Sequence, residues 1–298
     1  GSCVLPLHHP ARVAEEWAII DNISNGRAGI AFASGWMPED FLLRPENAPP
    51  HNKTALMRDI DVVRRLWRGD AVTFDAPNGK TVDVLTQPRP VSRELRTTAG
   101  NPDTYRDAAR AGANVLTHLL GQSIAEVADK IKIYRETLRE TGRNPADHTV
   151  TLMLHTLVGR DREEVREAAR EPMKAYLRSA AGLIKEYAWA FPAFKKPQGV
   201  AKPMDIDLGT LDPEEFDAII EFAFLRYFDD SGLFGTVADA LARADQLKAI
   251  GVDEIACLID FGVPAETALQ ALEPLAEVVA AVRTQGSDLE ASDLPADA

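Results

Sequence analysis

Cysteine is scarce in this chain: Cys3 and Cys257 are the only two among 298 residues. Each sits in an apolar, strand-like run, which favours a small buried side chain over a disulfide or a reactive thiol and fits a reducing compartment. Long apolar runs are missing too. None approaches the ~18 residues with which a membrane helix begins, and the start of the chain lacks the basic-then-apolar order of a signal peptide. The expectation is a soluble, cytoplasmic protein. Positive charge is in deficit, with 33 Lys+Arg against 46 Asp+Glu and a net charge of -13. That balance disfavours nucleic acid and anionic membranes as partners, because both are polyanions. No His-x3-His spacing with a third ligand, no G-x-S-x-G elbow and no Cys–His nucleophile pair stands out, so no metal site is expected.

Apolar residues are plentiful, at 45% of the chain, enough for a sizeable core. At ~150 residues per domain the length accommodates two ordinary domains or one large α/β unit. Short apolar runs alternate with segments of helical period, the pattern of parallel strands joined by crossover helices. "CVLPL" reads as a strand end, and "PARVAEEWAIIDNIS" as a helix with Pro10 near its first turn and Val13, Trp17 and Ile20 as its apolar positions. "AGIAFA" is a buried strand, left through the loop Ser34-Gly35-Trp36. "KTALMRDIDVVRRLWRGD" is amphipathic, with Leu56, Ile60, Val63 and Trp67 on one face and Arg58, Arg64 and Arg68 on the other. Between 71 and 90 two alternating runs flank Asn78-Gly79, a β-hairpin outside the β/α rhythm.

The rhythm then resumes. A loop and helix stop at Gly112 before the strand "ANVLTHLL", and the next helix starts at Ser123 with Glu126 at capping-box spacing. "HTVTLMLHTLVG" is a buried strand, followed by a long helix with Pro172 inside it. Two further helices, the strand "VDEIACLID" and a helix near 264–283 complete the series. Residues 188–212 mix aromatic, proline and charged residues without period, as a lid would. The tail 284–298 is acidic, small and unpatterned and is expected to be disordered. Core strands are expected at 3–7, 28–33, 113–119, 149–158 and 254–260. That is short of the eight that close a TIM-like barrel.

Chemistry-bearing side chains gather at these strand ends. His8 and His9 close the first strand, His118 closes "NVLTHLL" beside Thr117, and His155 lies in "LMLHT". All four are placed to face a barrel mouth, where such folds work. A lone histidine near apolar residues is more often structural, and His9-Pro10 equally serves to shape the turn before the helix. "TTAGNPDTY" is a loop entering a helix, so backbone N–H groups near Gly100, Asn101 and Thr104 can face an anion at the positive helix end. The same residues also read as an ordinary cap, with Asn101 at N-cap and Pro102 at N1. "SGLFGT" at 231–236 is glycine-rich, precedes a helix and offers a weaker second anion site.

In order and spacing, "VLPLHHPARVAEEWAIIDNISNGRAGIAFASGW" with the following "DF" resembles the core of the bacterial luciferase-like flavin monooxygenases, and the resemblance runs to about residue 283. "TAGNPDTYRDAARAGANVLTHLLGQS", "TLMLHT" and "GVDEIACLIDFGVP" are most similar to the subgroup of natural-product assembly lines. The resemblance implies an α/β, TIM-barrel-like fold with reduced FMN at the C-terminal ends of the strands. It also implies a separate flavin reductase, a homodimer, and oxygenation of a small or carrier-protein-bound substrate. Ala99, Gly100, Asn101 and Thr104 then form the FMN phosphate loop, with Thr117 near the cofactor. Ser34 and Gly35 stand where luciferases carry a basic residue against the phosphate, so Lys53 or the helix end is left to supply charge. Gly1-Ser2 matches a strained peptide that backs the flavin ring. His118 is the first candidate for a proton donor or base, with His8, His9 and His155 behind it.

Two departures from the family are expected to leave the barrel incomplete over residues 1–283. Members carry two β/α units and the start of a third strand ahead of the equivalent of Gly1, and an apolar strand where this chain has only Arg96 between Leu95 and Thr97. Two rival readings accompany the monooxygenase: a non-catalytic flavin-binding or degenerate structural relative, and a deazaflavin-dependent oxidoreductase on the same scaffold.

Overall fold

The computed structural model describes residues 2–35, 37–92, 95–99, 105–179, 189 and 211–292. It divides into two compact units, Gly1–Thr117 with Asp129–Thr151, and His118–Ala128 with Leu152–Ala298. In chain order the first half contains β1 (Ser2–Val4), α1 (Pro10–Ile23), β2 (Gly29–Ala33), α2 (Asn52–Arg68), β3 (Val72–Asp75), β4 (Thr81–Val84), β5 (Arg96–Ala99), α3 (Tyr105–Arg110) and β6 (Asn114–His118). Then follow α4 (Ile124–Glu140), β7 (Val150–Gly159), α5 (Arg162–Ser179), α6 (Pro213–Arg226), β8 (Leu233–Thr236), α7 (Val237–Ala249), β9 (Glu254–Leu258), α8 (Ala265–Gln270) and α9 (Leu272–Ser292). No helix among the described residues is long and apolar enough to cross a membrane.

In the first unit β1, β2, β5 and β6 lie side by side, each pair parallel. α1 starts where the His9 ring accepts the Ala11 N–H and Pro10, lacking an N–H, takes the first turn. α2 ends at Gly69, whose φ of +93 makes the left-handed stop. Their apolar stripes meet the strands in one cluster that includes Val13, Ile30, Phe32, Ile60, Leu66 and Trp67. The expected hairpin is there: β3 and β4 pair antiparallel, and Asn78 Oδ1 accepts the Lys80 N–H in the turn.

A buried carboxylate ties the loops of this unit together. Asp21 is fully buried and accepts the Ser92 N–H at 2.8 Å and hydroxyl at 3.0 Å, and the Ala28 N–H at 3.4 Å. Asp21→Ala leaves those donors unpaired in the interior. We expect a loss of about 1–3 kcal/mol in urea unfolding; an unchanged midpoint would mean that water replaces the carboxylate.

In the second unit β7 pairs in parallel with β8, and β9 pairs with β7. α5 runs through Pro172, and its buried face, Val165, Ala169, Met173 and Leu177, meets Phe224, Phe228 and Phe234. α6 ends in a π turn, Tyr227–Ser231.

Several expectations are corrected. The strand expected to be lost beside Arg96 is present: Arg96–Ala99 is β5, between β2 (Gly29↔Arg96 to Phe32↔Ala99) and β6 (Thr98↔Asn114, Ala99↔Val115). "RTTA" has no apolar signal because what makes it a strand is the backbone pairing offered on both sides. "SGLFGT" contains a strand, β8, in register with Thr156–Gly159, and it is no anion loop. Thr236 and Asp239 close a capping box there, so a carboxylate already takes the helix N-terminus. The run expected as a strand at 3–7 stops at Val4, and Leu5–Leu7 form a 3-10 turn with Leu5 buried. The cysteines are free thiols as expected, but Cys3 is only half-buried and Cys257 is exposed. Burial, with Glu16 nearby, still pushes the Cys3 thiol up to about 11. At the tail, α9 carries the backbone on to Ser292. Of the expected lid, Trp189 and Leu211 pack on the second unit's core and Asp212 caps α6; 188, 190–210 lie outside the described residues.

Candidate active site

Parallel strands put their C-terminal ends on one side, and in the first unit that side is polar. The register Phe32↔Ala99↔Val115 places Ser34, the end of β5 and Thr117 at the same end of three adjacent strands. Ser34 is buried, and among the described residues its hydroxyl donates a long 3.3 Å bond to the neighbouring Gly35 carbonyl. Gly35 sits at φ +72, and a Cβ there would stand 2.9 Å from Val4 Cγ1 and 3.0 Å from Phe41 Cζ. The Asn52 side chain donates to the Gly35 carbonyl at 2.7 Å and ties this loop to the first turn of α2. Lys53 is exposed in that same turn. Thr117 is buried, and its side chain meets the Tyr105 hydroxyl.

His8 and His9 follow β1 on this side, over a layer of charged side chains. Arg44 Nη1 donates to the His8 carbonyl and Asn47 Nδ2 to the Pro6 carbonyl, both at 2.8 Å. Beneath them Arg58 pairs with the buried Asp59 at 2.7 Å. His9 uses Nδ1 in the α1 cap and packs its ring 4.8 Å from Phe74. Partial burial, then Arg44, lowers its pKa, and Asp59 opposes them. Ser2 stands away from this end, at the start of β1 opposite Ala31. Gly1, Gly100, Asn101, Thr104 and the side chain of Ala99 lie outside the described residues.

His118 and His155 belong to the second unit. His118 ends β6, and its Nδ1 accepts the Leu120 N–H at 3.2 Å. Its carbonyl takes the Gln122 amide, and the predicted Ser123–Glu126 box then starts α4. His155 is buried at 2% exposure, with Nδ1 2.7 Å from the Tyr227 hydroxyl and Nε2 without a hydrogen-bond partner among the described residues. Tyr176 and Phe261 stand edge-on to its ring at 4.4 and 5.6 Å. Among the described residues no three His, Cys, Asp or Glu side chains gather as metal ligands.

Burial, reinforced by His118, lowers the His155 pKa to about 4. In the unfolded chain the imidazole binds its proton near 6.5, so between those values the unfolded state holds more protons than the folded one. Stability therefore falls as pH drops from about 6.5 to about 4 and flattens below, by up to roughly 3 kcal/mol at ~1.36 kcal/mol per pKa unit. His155→Gln should remove most of this slope in pH-dependent thermal melts. An identical slope in the variant would assign it to other groups.

Sequence reading missed Arg44, Asn47, Asn52, Tyr176 and Tyr227. Only Asn52, at the start of a clear amphipathic helix, carried a local signal; the others reach their partners across long sequence separations.

A profile of the luciferase-like monooxygenase family matches residues 1–254. The chain belongs to the luciferase-like, flavin-dependent monooxygenase family. Among curated relatives it is similar to the oxygenase component of the flavin-dependent trigonelline monooxygenase of Acinetobacter baylyi, 25% identical over 92% of this chain and 72% of that protein. It is also similar to the FMNH2-dependent dimethylsulfone monooxygenase of Pseudomonas fluorescens, 26% identical over 82% of this chain and 63% of that one. Among solved structures the fold is that of the monooxygenase RslO1 from Streptomyces bottropensis, with a TM-score of 0.70 at 19% identity, covering 95% of this chain and 77% of that one. The oxygenating constituent of 3,6-diketocamphane monooxygenase from Pseudomonas putida, in complex with FMN, matches with a TM-score of 0.66 at 15% identity, over 92% and 76%. An F420-dependent secondary alcohol dehydrogenase matches at 0.61 and 19% identity, over 91% and 76%.

Proposed function

We propose that this chain is the oxygenase of a two-component, FMN-dependent monooxygenase that takes reduced flavin from a separate reductase and acts on a small or carrier-protein-bound natural-product intermediate. In this reading it works in the cytoplasm as a homodimer. The observation that carries it is the polar end shared by β2, β5 and β6. There Ser34 and Thr117 are buried on either side of the end of β5, with Lys53 in the helix turn tied to Gly35.

That donor set fits a phosphate-bearing cofactor. The long Ser34–Gly35 bond is one that a phosphate oxygen would readily replace, the 99–104 loop would add Gly100, Asn101 and Thr104, and Lys53 would supply charge where luciferases use a basic residue. When bound, reduced flavin supplies the electrons and the oxygen-activating chemistry. The Leu120 N–H fixes His118 Nδ1 as an acceptor, so the neutral ring carries its proton on Nε2. His118 is thereby set to hold and give one proton at that atom, and Thr117 would help to hold the cofactor. His155 keeps the Tyr227 hydroxyl in place, and Arg44 and Asn47 hold the backbone carbonyls of His8 and Pro6.

The test is a fluorescence titration of this chain with FMN. Saturable quenching at micromolar ligand, weakened about tenfold or more by Thr104→Ala or Lys53→Ala through loss of a charge-assisted phosphate contact, supports the reading. Absence of quenching would remove it. The fold shared with an F420-dependent enzyme supports a second reading, a deazaflavin-dependent oxidoreductase, for which the same titration with F420 would give the tighter binding.

A further inference from the structure

We propose that the first unit carries an oxyanion site at the N-terminal ends of β5 and β6, built by Arg64, Arg68 and Arg143 and suited to phosphate or the phosphate monoester of a small metabolite. It lies at the opposite end of the strands from Ser34 and Thr117. A cavity of about 240 Å³ is lined there by these three arginines with Leu95, Ala111 and Gly112. At ~30 Å³ per water that space holds several waters, and so one phosphate group.

Among the described residues three guanidiniums and no carboxylate line this cavity, in a chain whose net charge is -13. Ordinary capping accounts for one of them. Arg64 donates through Nη1 to the Ala111 carbonyl and through Nη2 to the Gly112 carbonyl, the latter at 3.0 Å, and so caps the end of α3. Those bonds fix the plane of its guanidinium at the cavity wall. Arg143 is there for a different reason. Gly112 sits at φ +59, and a Cβ on it would stand 2.6 Å from Arg143 Nε. The missing side chain is the space through which Arg143 reaches the same wall.

Arg68, on the last turn of α2, completes the set, with Asp70 as a 3.5 Å partner at the solvent-exposed rim. The positive field extends beyond the cavity. His148 has its pKa lowered by burial first and then by Arg143, with Arg135 and Arg64 adding and Asp147 opposing. Guanidinium forks bind oxyanions bidentately, so an anion here gains charge-assisted hydrogen bonds.

The experiment is thermal unfolding of the full chain in sodium phosphate against sodium chloride at equal ionic strength, with adenosine monophosphate as a second ligand. We expect a saturable rise of the melting midpoint with phosphate and none with chloride. Arg143→Gln and, separately, the exposed Arg68→Gln should each weaken phosphate at least about tenfold, while FMN quenching stays as in the parent chain. A comparable rise with adenosine monophosphate assigns a phosphate monoester as the ligand, and a rise with phosphate alone assigns the free anion. A chloride effect equal to that of phosphate would overturn the proposal. So would a phosphate effect that survives in both folded variants, because the anion then binds elsewhere, as it would at the 99–104 loop.

Discussion

Phe228→Ala is expected to lower stability by about 3–5 kcal/mol, the largest single-residue effect in the second unit. Phe228 is buried and stacks flat on Phe234, with ring centroids 5.3 Å apart and planes 1° apart, while Phe224 stands at 6.0 Å. On its outer side the guanidiniums of Arg162 and Arg166 lie 5.2 and 5.1 Å from the ring centre. Truncation opens a cavity in a cluster that also holds Tyr227, the partner of His155, and removes two cation–π contacts of roughly 0.5–1 kcal/mol each. Urea unfolding followed by circular dichroism measures it. Phe228→Leu keeps much of the volume and should cost clearly less. A loss below 1 kcal/mol for the alanine variant would contradict the packing described.

Gly35→Val should be nearly as damaging and should also weaken flavin. At φ +72 a side chain costs ~1–2 kcal/mol in the left-handed region, and forcing atoms against Val4 and Phe41 adds ~1–3 kcal/mol. Gly79 makes a clean comparison: it has φ +74, but a Cβ there meets nothing within 4 Å. Gly79→Val should therefore carry only the backbone cost and leave FMN binding as it was. Equal losses at the two glycines would show that the Gly35 loop yields without resistance, and that it does not hold Ser34 in place.

The helices were legible because their signals are local. The Ser123–Glu126 box, the helix stop at Gly112 and the stripe of Ile60, Val63 and Trp67 all lie within a few residues of what they determine. Strands without an apolar pattern were not. β5 is recognisable only once β2 and β6 stand on either side of it, and β8 only against β7. The same distinction divides the candidate site. His9 as a cap follows from the proline beside it, and the histidines at strand ends follow from strand periodicity. The bond from His155 to Tyr227 spans 72 residues, and the one from Arg44 to the His8 carbonyl spans 36, so neither leaves a trace in any short window. Of the arginines around Gly112, Arg64 and Arg68 were visible only as one face of α2 and Arg143 not at all, because the helix turn that Arg64 caps and the glycine that admits Arg143 are tertiary neighbours.

The central claim is that the polar strand ends around Ser34, Thr117 and the 99–104 loop form a reduced-FMN site. The most direct measurement is anaerobic equilibrium binding of reduced FMN and of reduced F420 to this chain, with Gly35→Val as the site control. The account predicts micromolar binding of reduced FMN, weaker binding of F420, and loss of FMN binding in the control under conditions where that variant stays folded. Binding of neither flavin, or F420 binding the tighter, would contradict it.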